Sequence, residues 1–282
     1  MTHLLESPAE TVSTERSRAT TPPVRARLRF GTGLVFPAAA LLCWEVGALL
    51  GLISTRLIPP PSAIGSTLWD LFLTGNLVGH GTATTLRVLG GFVLGAIVGT
   101  VLGAASGVSE RFESTFDPTL QALRNIPSIA WTPLFILWFG IFETSKVLMI
   151  ALGVFFPVYL TFSGAIASVD RRLVEVGQGY GLSRFALVRR ILLPASMPHH
   201  VIGLRNGLGL GWMFVVAAEF LGASEGLGYL LVDGQQTGRP AVIIASIVMF
   251  ALLGRITDRV LAAVGGRYTR WQDGYVRVGV KT

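Results

Sequence analysis

Charge is scarce in this chain. Asp, Glu, Lys and Arg make up 14% of its 282 residues, where soluble domains carry about 25%. With 51% hydrophobic residues and a mean hydropathy of +0.61, the shortfall excludes an ordinary water-soluble globule and reads as an integral membrane protein. Cysteine is almost absent. Cys43, the single one, excludes an internal disulfide and any cysteine-based zinc or iron–sulfur cage, and reads as a small apolar packing residue. Histidine is nearly as rare, at positions 3, 80, 199 and 200. No H-E-x-x-H occurs, and adjacent histidines on a helix project about 100° apart, so His199 and His200 make no natural two-ligand site and read as interfacial.

Other absences bear on mechanism. Without a G-x-x-x-x-G-K-[ST] loop the chain hydrolyses no ATP by that route. No pair of intramembrane carboxylates is placed in a way that suggests a proton relay. No basic stripe interleaved with aromatics is present, so nucleic acid is excluded as a partner. No catalytic residue, metal ligand or cofactor site is expected, and any energy for transport has to come from a partner.

What the chain has is long apolar runs. About 20 mostly apolar residues cross a bilayer, and six stretches qualify: 30–53, 88–109, 125–142, 147–169, 201–222 and 240–257. The second is uncharged; the third is short and carries Pro127 and Pro133. An all-α polytopic fold with six transmembrane helices is expected. Orientation follows the positive-inside bias. With both termini cytoplasmic, 19 of the 23 lysines and arginines lie inside, and Arg56, Arg87, Lys146 and Arg239 lie outside. The net charge of +7 then serves topology and contact with anionic lipid.

Residues 1–28, rich in Ser, Thr, Pro and Arg, read as a disordered cytoplasmic tail and not as a cleavable signal peptide. A transmembrane unit is expected over 29–265, with a polar, basic, irregular cytoplasmic tail over 266–282. Outside, 54–80 opens with prolines that favour extended structure, and "WDLFLTGNLVGH" is expected as a short interfacial helix. Gly91, Gly95, Gly99, Gly103 and Gly107 recur every four residues in the second span, as Gly203, Gly207 and Gly211 do in the fifth. Such registers let helix backbones approach closely in lipid; fixed packing and sliding faces both remain open. Arg87, Glu219 and Glu45 are intramembrane charges, which need partners or water. Arg87 and Glu219 are expected near the outer side, as charge partners, as part of a translocation pathway, or, for Arg87, as a snorkelling cation. Glu45 is expected on the pathway or paired with a neighbouring helix.

One charged block interrupts the apolar pattern at 170–198. After Asp170 a short helix is expected over about 171–178, and Gly179 and Gly181 then allow a turn. Ser183 is a plausible N-cap for a second helix, striped by Phe185, Val188 and Leu192 and ended by Pro194. The block reads as a stiff knob able to transmit a push, or as an amphipathic segment lying on anionic lipid.

This block resembles the EAA loop of ABC-transporter importer permeases, in which E-A-A is followed by a glycine and later by L-P. Glu175-Val176-Gly177 stands for E-A-A, Gly181 for the glycine and Leu193-Pro194 for L-P, with Val176 and Gly177 replacing the alanines. The stretches "RLIPPPSAI", "LRNIPSIAWTPLFILWFGI", "ALGVFFPVYL", "LPASMPHHVIGLRNGLGLGWMFVVAAE" and "GLGYLL" are most similar to the aliphatic sulfonate branch, beside taurine, nitrate and vitamin-precursor permeases. The resemblance covers about 37–271. It implies a type I importer permease fold, a homodimer of permeases, two cytoplasmic ATP-binding subunits and an extracytoplasmic substrate-binding protein, in a bacterial cytoplasmic membrane. It also implies that Glu175, Gly177, Gly181, Leu182, Ser183, Phe185, Leu193 and Pro194 couple the permease to its ATPase. Rivals from other classes are a secondary transporter or channel without an ATPase, and a membrane scaffold.

Overall fold

The computed structural model describes residues 30–220 and 222–269; the expected tails at 1–28 and beyond 269 lie outside them. The chain divides into two compact units, Met1–Cys43 and Trp44–Thr282. In the first, the described residues belong to α1 (Phe30–Leu49), a helix carrying Pro37, and Cys43 is exposed. The second unit follows Pro59 and Pro60 into α2 (Pro61–Leu73), whose N1 proline needs no N–H at a helix start. Next come α3 (Asn76–Val108), α4 (Glu110–Arg124), a 3₁₀ turn (Ser128–Trp131) and α5 (Thr132–Phe139). Then follow α6 (Glu143–Ala167), α7 (Arg171–Gly179), α8 (Arg184–Leu187), a π-turn (Val188–Leu192), α9 (Leu193–Phe220), α10 (Leu227–Gln236) and α11 (Pro240–Tyr268). Among the described residues there is no strand.

Four helical runs are long and apolar enough to cross a membrane: 76–108, 143–167, 184–220 and 240–268. The first expected span is the shorter apolar run of α1, and the third is shorter still. Eight residues of α5 reach only about 12 Å at 1.5 Å each, against about 30 Å of hydrocarbon. Pro127 and Pro133 confine that helix, as a ring without an N–H interrupts the backbone ladder.

The long helices pack around α6, whose apolar window is 56% buried while that of α11 is 17% buried. The glycine registers explain the arrangement. A Cβ at Gly91 would lie 2.5 Å from Ile150 Cβ, and at Gly95 it would run into the Ala151 carbonyl oxygen. At Gly99 it would lie 2.9 Å from the Phe155 oxygen, at Gly103 2.9 Å from that of Tyr159, and at Gly107 2.9 Å from that of Ser163. Partner numbers rise along the register, so α3 and α6 run parallel with backbones in direct contact. Against the same α6 stripe, Gly203 meets Thr161, Gly207 meets Val158 and Gly211 meets Val154. Here the numbers fall, so α9 runs antiparallel. Between them sits the core of Val88, Ala96, Ile150, Val154, Val158, Leu208, Trp212 and Val215. Lipid offers no hydrophobic gain for this association, so close packing supplies it. α11 returns along α9, with Gly265 against Val201, Trp212 Nε1 donating to Thr257 at 2.9 Å, and Arg205 paired to Asp258 at 2.8 Å.

Local expectations need correction at four places. "WDLFLTGNLVGH" is no single interfacial helix: it spans the end of α2, a Thr74–Gly75 break and the start of α3. The second short helix of the charged block does not end at Pro194. The chain widens into the π-turn, where Leu193 N–H donates to Val188 O, and continues as α9 through Pro194 and Pro198. A wide turn there makes room for a proline that donates no hydrogen bond. The fifth span consequently starts early, and His200 is interior rather than interfacial. Its ring lies 4.1 Å from Phe162, with Nε2 3.4 Å from Thr100 Oγ1. Lastly, the irregular tail expected from 266 does not begin there, since α11 runs on to Tyr268.

Candidate functional site

Two clusters collect the charged residues singled out in the sequence, at opposite ends of the α3–α6 pair. The first is the 170–193 block. Asp170 accepts from Arg172 N at 2.9 Å and starts α7; Ser183 Oγ accepts from Ala186 N at 3.3 Å and starts α8. Capping of this kind contributes about 1 kcal/mol to each start. Between them Gly181, at φ +72°, reverses the chain in a conformation where a side chain costs about 1–2 kcal/mol. Buried Gly177 closes the hairpin: a Cβ there would lie 2.5 Å from Ile191 Cδ1 and 3.5 Å from Leu182 and Leu187. The block thus has a small core of its own. On its surface Tyr180 is 84% and Phe185 75% exposed, and Glu175 accepts from Arg171 Nε at 2.9 Å. Leu193 and Pro194 stand apart from the hairpin, at the root of α9.

The second cluster surrounds Arg87, 4% exposed, and Glu219, 1% exposed. Arg87 Nη1 donates to Glu219 Oε1 at 2.8 Å and to the Glu225 carbonyl at 2.6 Å, while Nη2 donates to Glu143 Oε1 at 2.8 Å and Nε to the other oxygen of Glu143. Lys146 also donates to Glu143, at 2.9 Å. Glu219 accepts in addition from Thr84 Oγ1 at 2.8 Å and Gly228 N at 2.7 Å. Thr84 accepts from Leu227 N, and His80 Nδ1 from Gly226 N at 2.9 Å. Gly226 fits this place because its φ is +123° and a Cβ would meet Glu219 Oε1 at 2.5 Å. Buried charges persist when each finds partners of this quality. The cluster ties α3, the start of α6, the end of α9 and the start of α10 into one unit.

Arg87 and Glu219 are therefore together, whereas Glu45 stands elsewhere. It accepts from Ser62 N at 3.0 Å and Ser62 Oγ at 2.7 Å, holding the first turn of α2. Sequence reasoning missed Glu143, Lys146, Thr84, His80 and the 225–228 backbone. A register signal existed for some of them: His80, Thr84 and Arg87 follow an i, i+4, i+7 spacing on one face of α3.

The family model for the "binding-protein-dependent transport system inner membrane component" matches residues 82–270, which include both clusters apart from His80. The chain belongs to this family. It is the permease subunit of an ABC importer, a transport component working with a separate ATP-binding subunit and a substrate-binding protein. Such a permease is a multi-pass membrane protein. The aliphatic sulfonates transport permease protein SsuC of Bacillus subtilis is 38% identical over 253 residues, 90% of this permease and 92% of its own length. The Escherichia coli SsuC is 37% identical over 85% of this permease and 91% of its own length. The taurine transport permease TauC of Escherichia coli is 32% identical over 83% and 87%. Among solved structures, an inward-facing form of the MetNI methionine ABC transporter has a similar fold. Its TM-score is 0.57 at 18% identity, covering 68% of this permease and 97% of that chain.

Proposed function

We propose that this permease forms the pathway for a small sulfonate in a complex of two permease copies, two ATPase subunits and one binding protein. Both termini face the cytoplasm, and six segments cross or enter the bilayer. The substrate class rests on one observation, the 38% identity over 90% of the chain to a permease named for aliphatic sulfonates. Coupling is assigned to the 170–193 hairpin, with Glu175, Gly177, Gly181, Leu182, Ser183 and Phe185 on it and Leu193 and Pro194 at its root. A push delivered at Tyr180 and Phe185 passes through the Gly177–Ile191 contact into the π-turn and on to α9, so force reaches the bundle through packed atoms. The Arg87–Glu219 cluster works as a structural lock in this reading, because its guanidinium is occupied by carboxylates and a carbonyl. The glycine faces of α3 and α9 are fixed packing surfaces, since α6 backbone oxygens on α3 and the β-branched side chains of Thr161, Val158 and Val154 on α9 fill the space a Cβ would need.

The test has two arms. Purified permease carrying Gly181→Trp or Glu175→Arg loses its ATPase subunit on co-purification while keeping a wild-type elution profile. Deletion of the permease gene abolishes growth on an alkanesulfonate as sole sulfur source, and the wild-type gene restores it. Retained ATPase in both variants overturns the coupling assignment; unchanged growth after deletion overturns the substrate.

A further inference from the structure

None of the roles above uses a cavity of about 640 Å³ at the end of the bundle away from the charged hairpin. Its walls are Thr55, Arg56 and Pro59 before α2, Asp70 on α2, Asn76 at the start of α3, and the α10–α11 turn with Arg239. Small-molecule sites occupy roughly 300–1,000 Å³. Of the four cations that the charge bias assigns to this side, Arg87 and Lys146 are engaged by carboxylates. The other two are Arg56 and Arg239, and both line this one cavity. Among the described residues neither has a carboxylate within 4 Å, Asp70 on the same wall included. Thr67 and Thr74 spend their hydroxyl protons on the Ala63 and Asp70 carbonyls, which leaves the two guanidiniums, Thr55 and Asn76 as donors.

We propose that this basin is an oxyanion-binding site on the outer face, where Arg56 and Arg239 grip the head of a singly charged anion of sulfonate type before it enters the permease. It rests on the proposed orientation and substrate class. Guanidinium N–H pairs match the oxygens of a sulfonate or phosphate better than an ammonium does. With Asp70 in the wall the lining carries a net charge of +1, which suits a monoanion. The same chemistry would also hold the phosphate of a lipid headgroup.

The experiment uses the full permease–ATPase complex in phosphatidylcholine nanodiscs, without binding protein, and measures equilibrium binding of radiolabelled ethanesulfonate. Wild type binds saturably, Arg56→Gln/Arg239→Gln weakens binding about tenfold or more, and basal ATP hydrolysis is unchanged. The paired Arg→Lys variant recovers part of the affinity, which a collapsed cavity would not. Absent wild-type binding, or equal binding by the double Gln variant, overturns the proposal. So does failure of ethanesulfonate to compete when the discs contain phosphatidylglycerol, which assigns the basin to lipid. Uptake by the complete transporter separates this inference from the function. Wild-type ethanesulfonate uptake with an unchanged KM in the double Gln variant removes the basin alone, whereas no wild-type uptake removes the sulfonate reading itself.

Discussion

Arg87 shows how little freedom a buried charge has in this protein. Its guanidinium faces Glu143, Glu219 and the Glu225 carbonyl with 4% of its surface exposed. Replacing it with methionine leaves the Glu219 carboxylate buried with only Thr84 and Gly228 as donors, and breaking such a pair costs about 3–5 kcal/mol. Arg87→Met is therefore expected to lower the thermal stability of the detergent-solubilised permease sharply. Arg87→Met/Glu219→Met should recover part of the loss, because no uncompensated charge remains. Glu143 keeps Lys146 in either case. A double mutant no more stable than the single one would contradict this account. The existence of intramembrane charges was plain from sequence, and so was the chance that Arg87 and Glu219 are partners. Glu143 and Lys146 were hidden because they open α6 next to a loop, where charges ordinarily need no explanation.

At the scale of elements, glycine has two different uses here, and substitution tells them apart. A methyl at Gly95 meets the Ala151 carbonyl oxygen and Val154 Cβ, atoms of a helix that moves only as a whole. Overpacking of this kind costs about 1–3 kcal/mol. A methyl at Gly177 meets the tip of Ile191, which rotates away, and helix propensity favours alanine by about 1 kcal/mol. Gly95→Ala should accordingly destabilise the permease, while Gly177→Ala stays within about 1 kcal/mol of the parent and keeps its ATPase partner, both read from melting curves and co-purification. The four-residue repeat announced close packing. That both registers converge on the Ile150–Val154–Val158 stripe of the same helix, one parallel and one antiparallel, was not legible, because a register names a face and no partner.

On the scale of the whole molecule, the hairpin at 171–193 and the turns around Arg56 lie at opposite ends of the helices, and the charge bias assigns them to opposite sides of the membrane. Since Cys43 is the single cysteine, a Cys43→Ser background admits a clean topology test. Tyr180→Cys should react with an impermeant maleimide only in inside-out vesicles, and Leu57→Cys, 76% exposed in the parent, only in right-side-out ones. Labelling of both from one side would invert or dissolve the topology.

Composition alone determined that this chain lives in lipid, since so few charges cannot solvate a soluble surface. The run of apolar residues determined four of the long helices, and the glycine–proline–arginine block announced the hairpin at 171–193. Tertiary structure decided what the linear pattern leaves open. It carried the helix through Pro194 on a π-turn, reduced the third span to a short α5, took His200 into the interior, and left Arg56 and Arg239 facing one cavity. The physical reason is common to all of these: a residue's burial and pairing depend on neighbours far away in sequence, and hydropathy sums only those close by.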